Sequence, residues 1–293
     1  MARGRQLLDG IVDYAGLFPP SSWSMEDAVR EYALRREGAS AWMLASFVVP
    51  VARLDEFEAA RALQGVQDPW PISALLGPDP RADATKLSDF VSERPGVAIL
   101  AAVEFRPSAR DVIAPVCAAL PDTAEVFCEL PWNEDPTPWM DAVAAAGAKA
   151  KIRCGGVSAD MIPPVDAVAR FLRVCHEAGI GLKFTAGLHH PVRAEQALTY
   201  DDDPPRAVMH GFLNVFVAAA LLVSADVDDA TLIAVLSETD PSAFTLDEDG
   251  GARWRDRSVP ADAAQRVRGG FARSFGSCSF AEPVDDLQTL DLT

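Results

Sequence analysis

A chain of 293 residues that is 49% hydrophobic, 24% charged and 8% aromatic has ample material for a packed core, which excludes disorder, collagen and coiled coil. Its formal net charge of −17 repels a phosphate backbone, and no basic stripe interrupts the acidity, so no nucleic-acid partner is expected.

In chain order, short apolar runs of β character alternate with longer amphipathic runs. A first strand over residues 10–14 leads to a helix over 24–37, which Ser24 and Asp27 cap and Gly38 stops. Strands follow at 41–48, 72–76, 97–105 and 125–130, separated by helices at 54–63, 81–93 and 108–120. Next come a helix at 138–146, a strand at 150–154, a helix at 164–178 and a strand at 181–185; Gly147 and Gly179 close the two helices. A helix over 205–223 precedes an insertion at about 226–272, where Asp249-Gly-Gly turns a β-hairpin and a helix spans 261–269. The last strand is read at 275–280, with a short helix opening after Glu282. Eight strands in this alternation predict an α/β fold of parallel type, a (β/α)8 TIM barrel in one domain over residues 1–293, with the hairpin and helix inserted before strand eight. The first βα turn, Ala15-Gly-Leu-Phe-Pro-Pro, lacks the GxGxxG of a dinucleotide-binding sheet.

Five cysteines (Cys117, Cys128, Cys154, Cys175 and Cys278) are odd in number and have no CxxC spacing, so reduced thiols are expected rather than disulfides or a zinc ribbon. The residues Met1-Ala-Arg-Gly-Arg open no signal-peptide core. The longest apolar run, Phe212–Ala225, falls short of the roughly 18 residues that cross a bilayer. A cytoplasmic address away from membranes is expected. Among 26 basic residues only Lys86, Lys149, Lys151 and Lys183 are lysines, which draws attention to positions where amine chemistry has been kept.

A barrel carries its site at the C-terminal ends of its strands. That rule selects Asp13, Glu104, Arg106, Glu129, Lys151, Arg153, Lys183, Thr185, His189, His190, Ser277, Cys278 and Ser279. Strand alternation puts Lys151 with Arg153 and Lys183 with Thr185 on inward faces, since an unpaired cation beneath the helix layer would cost several kcal/mol. Neighbouring strands lie about 4.8 Å apart. Lys151, Lys183 and Arg153 are thus expected side by side in a partly dry cavity, where like charge and desolvation would lower a lysine pKa. A lysine so tuned attacks carbonyls to form an imine, with Glu104, Glu129 or His189 moving protons. The alternatives are that these cations bind a substrate carboxylate or phosphate, or that they pair structurally with Glu104 and Glu129. Glycines at 155, 156, 187 and 276 sit where strand-end turns can offer N–H groups to an anion, or serve as ordinary turns. His189 and His190, with His210 and Asn214 of Met209-His-Gly-Phe-Leu-Asn, are candidates for substrate hydrogen bonding. In another reading Glu129, one of the paired histidines and His210 hold a divalent metal.

Asp13-Tyr-Ala-Gly-Leu-Phe-Pro-Pro, Lys151-Ile-Arg-Cys-Gly-Gly, Lys183-Phe-Thr-Ala-Gly-Leu-His-His-Pro, His210-Gly-Phe-Leu-Asn and Phe275-Gly-Ser-Cys-Ser-Phe together resemble a family of uncharacterised bacterial proteins over nearly the whole length. The last three strands also resemble class I deoxyribose-phosphate aldolases, through KxxxG at Lys151, KxxxG at Lys183 and the Phe275-Gly-Ser-Cys-Ser turn. That likeness implies an imine at Lys151, a pKa-lowering cation at Lys183 and a phosphate loop over Gly276, Ser277 and Ser279. Arg153 and Cys154 depart from the small hydroxyl residues of those aldolases, and no Asp stands at their relay position on strand four. The expected function is a lyase of aldolase type acting, without a cofactor, on a small anionic carbonyl metabolite. The runners-up are a metal-dependent lyase, hydrolase or isomerase and a non-catalytic metabolite-binding barrel. A homo-oligomer is compatible with all three.

Overall fold

The computed structural model describes residues 4–292, so Met1 to Arg3 of the N-terminal run lie outside the described residues. Strands β1 (Val12–Tyr14), β2 (Leu44–Pro50), β3 (Trp70–Leu75), β4 (Ala98–Phe105), β5 (Glu125–Glu129), β6 (Lys149–Arg153) and β7 (Leu182–Thr185) pair in parallel with their chain neighbours, except that β7 is followed by a long excursion. A hairpin of β8 (Ala194–Ala197) and β9 (Arg206–Met209) comes first. A three-stranded antiparallel sheet of β10 (Phe244–Leu246), β11 (Ala252–Trp254) and β12 (Arg257–Val259) follows further on. Strand β13 (Ala272–Ser277) then returns between β7 and β1 and closes an eight-stranded parallel barrel.

Helices flank it: α1 (Arg5–Leu8), α2 (Met25–Arg36), α3 (Leu54–Leu63), α4 (Pro80–Glu93), α5 (Ile113–Cys117), α6 (Thr137–Ala145), α7 (Val165–Glu177), α8 (Phe212–Ala225), α9 (Asp229–Ser237), α10 (Ala261–Gly270) and α11 (Ala281–Thr289). The molecule is a (β/α)8 TIM barrel. Among the described residues no helix is long and apolar enough to cross a membrane.

Local chemistry accounts for many of the boundaries. Ser24 Oγ accepts the Asp27 N–H at 3.1 Å and caps α2, with Glu26 and Asp27 at its positive end and Arg35 and Arg36 at its negative end. The expected helix over 205–223 begins only at Phe212, because residues 206–209 form β9 in register with β8. Gly211 divides the two elements; a Cβ there would collide with the Pro191 carbonyl oxygen. The helix expected over 108–120 shrinks to α5 behind a 3-10 turn, with Pro115 unable to supply a helical N–H. The first expected residues of strand two form another 3-10 turn, and strand eight lies three residues earlier than read. The hairpin at Asp249-Gly-Gly is formed by β10 and β11, to which β12 adds a third strand.

Alternation along the strands sends Ala150, Ile152, Phe184 and Phe275 under the helix layer, where all are fully buried. Helix α8 is buried on every side from Phe212 to Leu222, with Phe212 stacked on Phe275 and Phe216 edge-on to Phe184. The opposite faces of the same strands line the barrel interior, and they are strongly polar.

At the C-terminal mouth the turns after β6 and β7 touch. A Cβ on Gly187, whose φ is +73°, would lie 2.7 Å from Gly155 Cα and 2.9 Å from the Cys154 carbonyl oxygen. Gly179 has a similar φ of +67° but open space around it. Gly179→Ala is therefore expected to cost about 1 kcal/mol of left-handed strain, and Gly187→Ala about 3 kcal/mol because overpacking is added. Urea unfolding of the two variants checks this; equal losses would contradict the close approach.

Candidate active site

The barrel interior holds a chain of alternating charges supplied by opposite walls. On β7, Lys183 Nζ lies 2.9 Å from Asp13 Oδ2 of β1 and donates across the lumen to Glu104 Oε1 of β4 and, at 3.3 Å, to Ser73 Oγ of β3. On β6, Lys151 Nζ donates to Glu104 Oε2 at 2.8 Å and lies 2.8 Å from Glu129 Oε2 of β5. Glu129 Oε1 in turn accepts from Arg106 Nη2 at 2.8 Å and from Arg153 Nε at 3.2 Å. Asp13 is steadied by the hydroxyls of Ser46 and Ser274. Lys151, Lys183, Asp13, Glu104 and Glu129 are all buried.

This arrangement reverses the expected tuning of the lysines. Burial pushes the Lys151 and Lys183 ammonium groups toward neutrality. Glu104 sits between them, however, and with Glu129 on one side and Asp13 on the other it holds both above the ordinary lysine range. Burial likewise opposes ionisation of the carboxyls, but Lys151 and Lys183 draw Glu104 well below its ordinary range, and Lys151 and Arg153 draw Glu129 down to about 2. Both lysines are cations.

Lys151 faces a cavity of about 260 Å³ at the C-terminal mouth, whereas Lys183 faces a separate one at the opposite end, beside Asp13. The mouth cavity also meets Glu104, Glu129, Arg153, Thr185, His189, His190 and Gly276. Register explains the gathering: Arg153 is level with Thr185, and Thr185 with Gly276, across three adjacent strands. Arg106 reaches the same cluster through Glu129 with a largely exposed side chain.

The paired histidines are both held from α11. His189 Nδ1 lies 2.8 Å from Glu282 Oε2, and His190 Nδ1 lies 2.6 Å from Asp286 Oδ2, one helical turn further on. Ser277 Oγ donates to the Ser279 carbonyl oxygen at 2.6 Å, and Ser279 Oγ accepts the Glu282 N–H at 3.2 Å, so both shape the turn into α11.

Four expected site residues lie away from the mouth: Asp13 and Lys183, which meet the cavity at the opposite end instead of standing beside Lys151 at the mouth, and His210 and Asn214. His210 is fully buried, its Nε2–H donating to the Pro163 carbonyl oxygen at 2.8 Å while Nδ1 accepts from Arg193 at 3.3 Å. Asn214 accepts the Arg193 N–H and donates to the carbonyl oxygens of Val235 and Glu238. His210 is committed to the Pro163 backbone and the Arg193 side chain, and Asn214 to backbone alone, so both pack the excursion against the barrel. The ligand set read for a metal is accordingly not assembled, and among the described residues no other group of three His, Cys, Asp or Glu is placed to hold one.

Cys278, one of the strand-end candidates, also meets the cavity, as do two residues outside the expected set: Tyr200, from the turn between β8 and β9, and Glu282. Cys278 Sγ lies 4.0 Å from His189 Nε2 and 3.8 Å from the Tyr200 hydroxyl. The position of Cys278 at a strand end was readable; its neighbours were not.

Neither a family model nor a curated protein matches the chain.

The charge chain makes stability depend on acid in a defined direction. Glu104 and Glu129 ionise at lower pH when folded than at their ordinary 4.5, so their pairing stabilises the fold above that value; for Glu129 it is lost as pH falls toward about 2. His210 is lowered from 6.5 to about 4, first by burial and then by Arg193 against the opposing Pro163 bond, so its contribution is lost between those values. Urea unfolding across this range should show a shallow decline from pH 6.5, absent in His210→Gln, and a steeper one below 4.5. At pH 7 Glu104→Gln is expected to cost about 3 kcal/mol, because two buried ammonium groups lose a partner. Adding Lys183→Met should cost less than the two single losses combined; strict additivity would contradict the shared contact.

Proposed function

We propose that this barrel is an enzyme acting on a small anionic carbonyl compound in the C-terminal mouth, by lyase chemistry at the bond next to the carbonyl. The supporting observation is a local surplus of positive charge in a protein of net charge −17: Asp13, Glu104 and Glu129 face Lys183, Lys151, Arg153 and Arg106, and the surplus falls where two arginines share Glu129. Arg153 and Arg106 receive the substrate carboxylate or phosphate.

Lys151 supplies the electrostatic part. An ammonium group has three N–H donors, of which Glu104 and Glu129 occupy two, so the third is available to the cavity that Lys151 lines. A fixed cation there stabilises negative charge as it develops on a carbonyl or enolate oxygen. Its two carboxylate contacts favour this role over imine formation, which needs the neutral amine. His190 carries the proton. Asp286 holds Nδ1, which leaves Nε2 as the base beside the cavity.

The test is a panel of short oxo acids and of carboxylated or phosphorylated aldehydes and ketones in D2O, followed by NMR for α-proton exchange and carbon–carbon cleavage. At least one member should react. Lys151→Met should slow that reaction by about 100-fold or more, and Arg153→Gln should raise KM with little change in kcat. Borohydride should trap no adduct on Lys151. A panel without any reaction, or equal binding of neutral analogues, would overturn the proposal, and a trapped Lys151 adduct would return the imine role to it.

A further inference from the structure

Cys278 differs from the other four cysteines in its surroundings. Cys128, Cys154, Cys175 and Cys278 are all buried, and burial pushes the first three thiols and that of Cys117 above their ordinary range, whereas at Cys278 polar neighbours outweigh it. Cys278 follows directly after β13, and Glu282 stands in the first turn of α11, so one strand-turn-helix segment carries both a thiol and a carboxylate. Strand β13 pairs with β7, and the turn after β7 brings His189 between them. The result is a relay in which His189 Nε2 faces Cys278 Sγ at 4.0 Å and His189 Nδ1 faces Glu282 Oε2 at 2.8 Å. Ser21 Oγ donates to the Cys278 carbonyl oxygen at 3.1 Å and ties down the turn. Thiol, imidazole and carboxylate all border the mouth cavity.

We infer that Cys278 is a nucleophile of the mouth cavity, with His189 as its acid–base partner and Glu282 as the group that orients His189, and that it adds to the carbonyl carbon of a short oxo acid or aldehyde acid. Three functions in this order, with the base oriented from its far nitrogen, are what activates a thiol. The inference rests on the reading that the cavity takes small anionic carbonyl compounds, and it supplies that reading with a covalent step. Arg153, Thr185 and Gly276 are level on adjacent strands, so the anion site and the Cys278 turn stand about two strand spacings, roughly 10 Å, apart. An extended arginine and a substrate of a few carbons span that gap.

The step balances without a co-reactant. The reacting form of the pair is thiolate and imidazolium, reached by transfer of the thiol proton to His189 Nε2. As the sulfur–carbon bond forms, the carbonyl π pair moves to oxygen, which takes the proton from His189 Nε2 and leaves a neutral thiohemiacetal; reversal restores the pair. Burial opposes ionisation of both groups, yet the mutual Cys278–His189 contact, with Ser21 on the thiol and Glu282 on the imidazole, lowers the thiol pKa and raises that of the imidazole. The other titratable groups acting on the thiol or its partners are His190, which lowers Glu282, and Tyr14 and Tyr200, both pushed up first by burial, so the two phenols stay neutral across the working range.

Alkylation of the native protein provides the test. Iodoacetamide near pH 7 should modify Cys278 first, as located by peptide mass, and the rate should titrate with a midpoint clearly below the ordinary thiol value of about 8.5. His189→Gln should move that midpoint up and slow the reaction at pH 7 by at least about tenfold; Glu282→Gln should do so to a smaller degree. Glyoxylate labelled with 13C at its aldehyde carbon should give a sulfur-bound tetrahedral resonance that Cys278→Ser removes. A wild-type midpoint in the ordinary range, or no such resonance, would overturn the inference without reliance on any variant's folding. Iodoacetate separates the two proposals. Arg153→Gln should depress its rate more than that of iodoacetamide, and equal effects beside a low thiol midpoint would defeat the anion site while supporting the nucleophile.

Discussion

Glu104 occupies the centre of the barrel between two lysines, and the character of the interior follows from that one shared carboxylate. Transferring several ions from water into a closed sheet costs several kcal/mol each, and only close opposite charges offset it. Here the offset runs from wall to wall. Asp13, Lys183, Glu104, Lys151 and Glu129 come from five different strands, so ion pairing joins β1, β4, β5, β6 and β7 in a manner that apolar side chains of ordinary reach would not. Replacing any member leaves its neighbour charged and dry. A lumen built this way specifies register strongly, because a slip by one residue would send these charges beneath the helices.

The same chain separates the two ends of the barrel. Toward the N-terminal end, Asp13 and two serine hydroxyls complete the shell around Lys183. Toward the C-terminal end, Glu129 must answer Lys151, Arg153 and Arg106 together, so positive charge is left over where the cavity opens. Polar groups from the turns after β7 and β13 then stand around that cavity, with α11 orienting both histidines. Scaffold and reactive groups thus meet at one place for a structural reason: neighbouring strands present their C-terminal ends together.

Much of this was legible from the chain. Period-two alternation alone puts Lys151, Arg153, Lys183 and Thr185 on the inner face, and the spacing of apolar runs yields the barrel. What local pattern left open is which alternative holds, repulsion between the lysines or their pairing with Glu104 and Glu129, and the ion pairs are those of the second. Lys151 and Lys183 were expected to repel one another because they are neighbours; Glu104, three strands from Lys183, intervenes and reverses the outcome. His210 and Asn214 stand in a motif that looked chemical, yet their partners are backbone carbonyls of Pro163, Val235 and Glu238, distant in sequence. The Cys278–His189–Glu282 relay depends on the pairing of β13 with β7 and on the first turn of α11. Tyr200 depends on a hairpin concealed in a segment read partly as helix.

The central claim is that both interior lysines are permanently charged by shared carboxylates. With four lysines in the chain, a protein labelled with 15N at lysine Nζ gives a spectrum sparse enough to assign by single substitution. The account predicts that Lys151 and Lys183 give protected ammonium resonances that persist above pH 10.5, the ordinary lysine value. A Lys151 resonance that titrates near or below neutrality would show a free amine and contradict it.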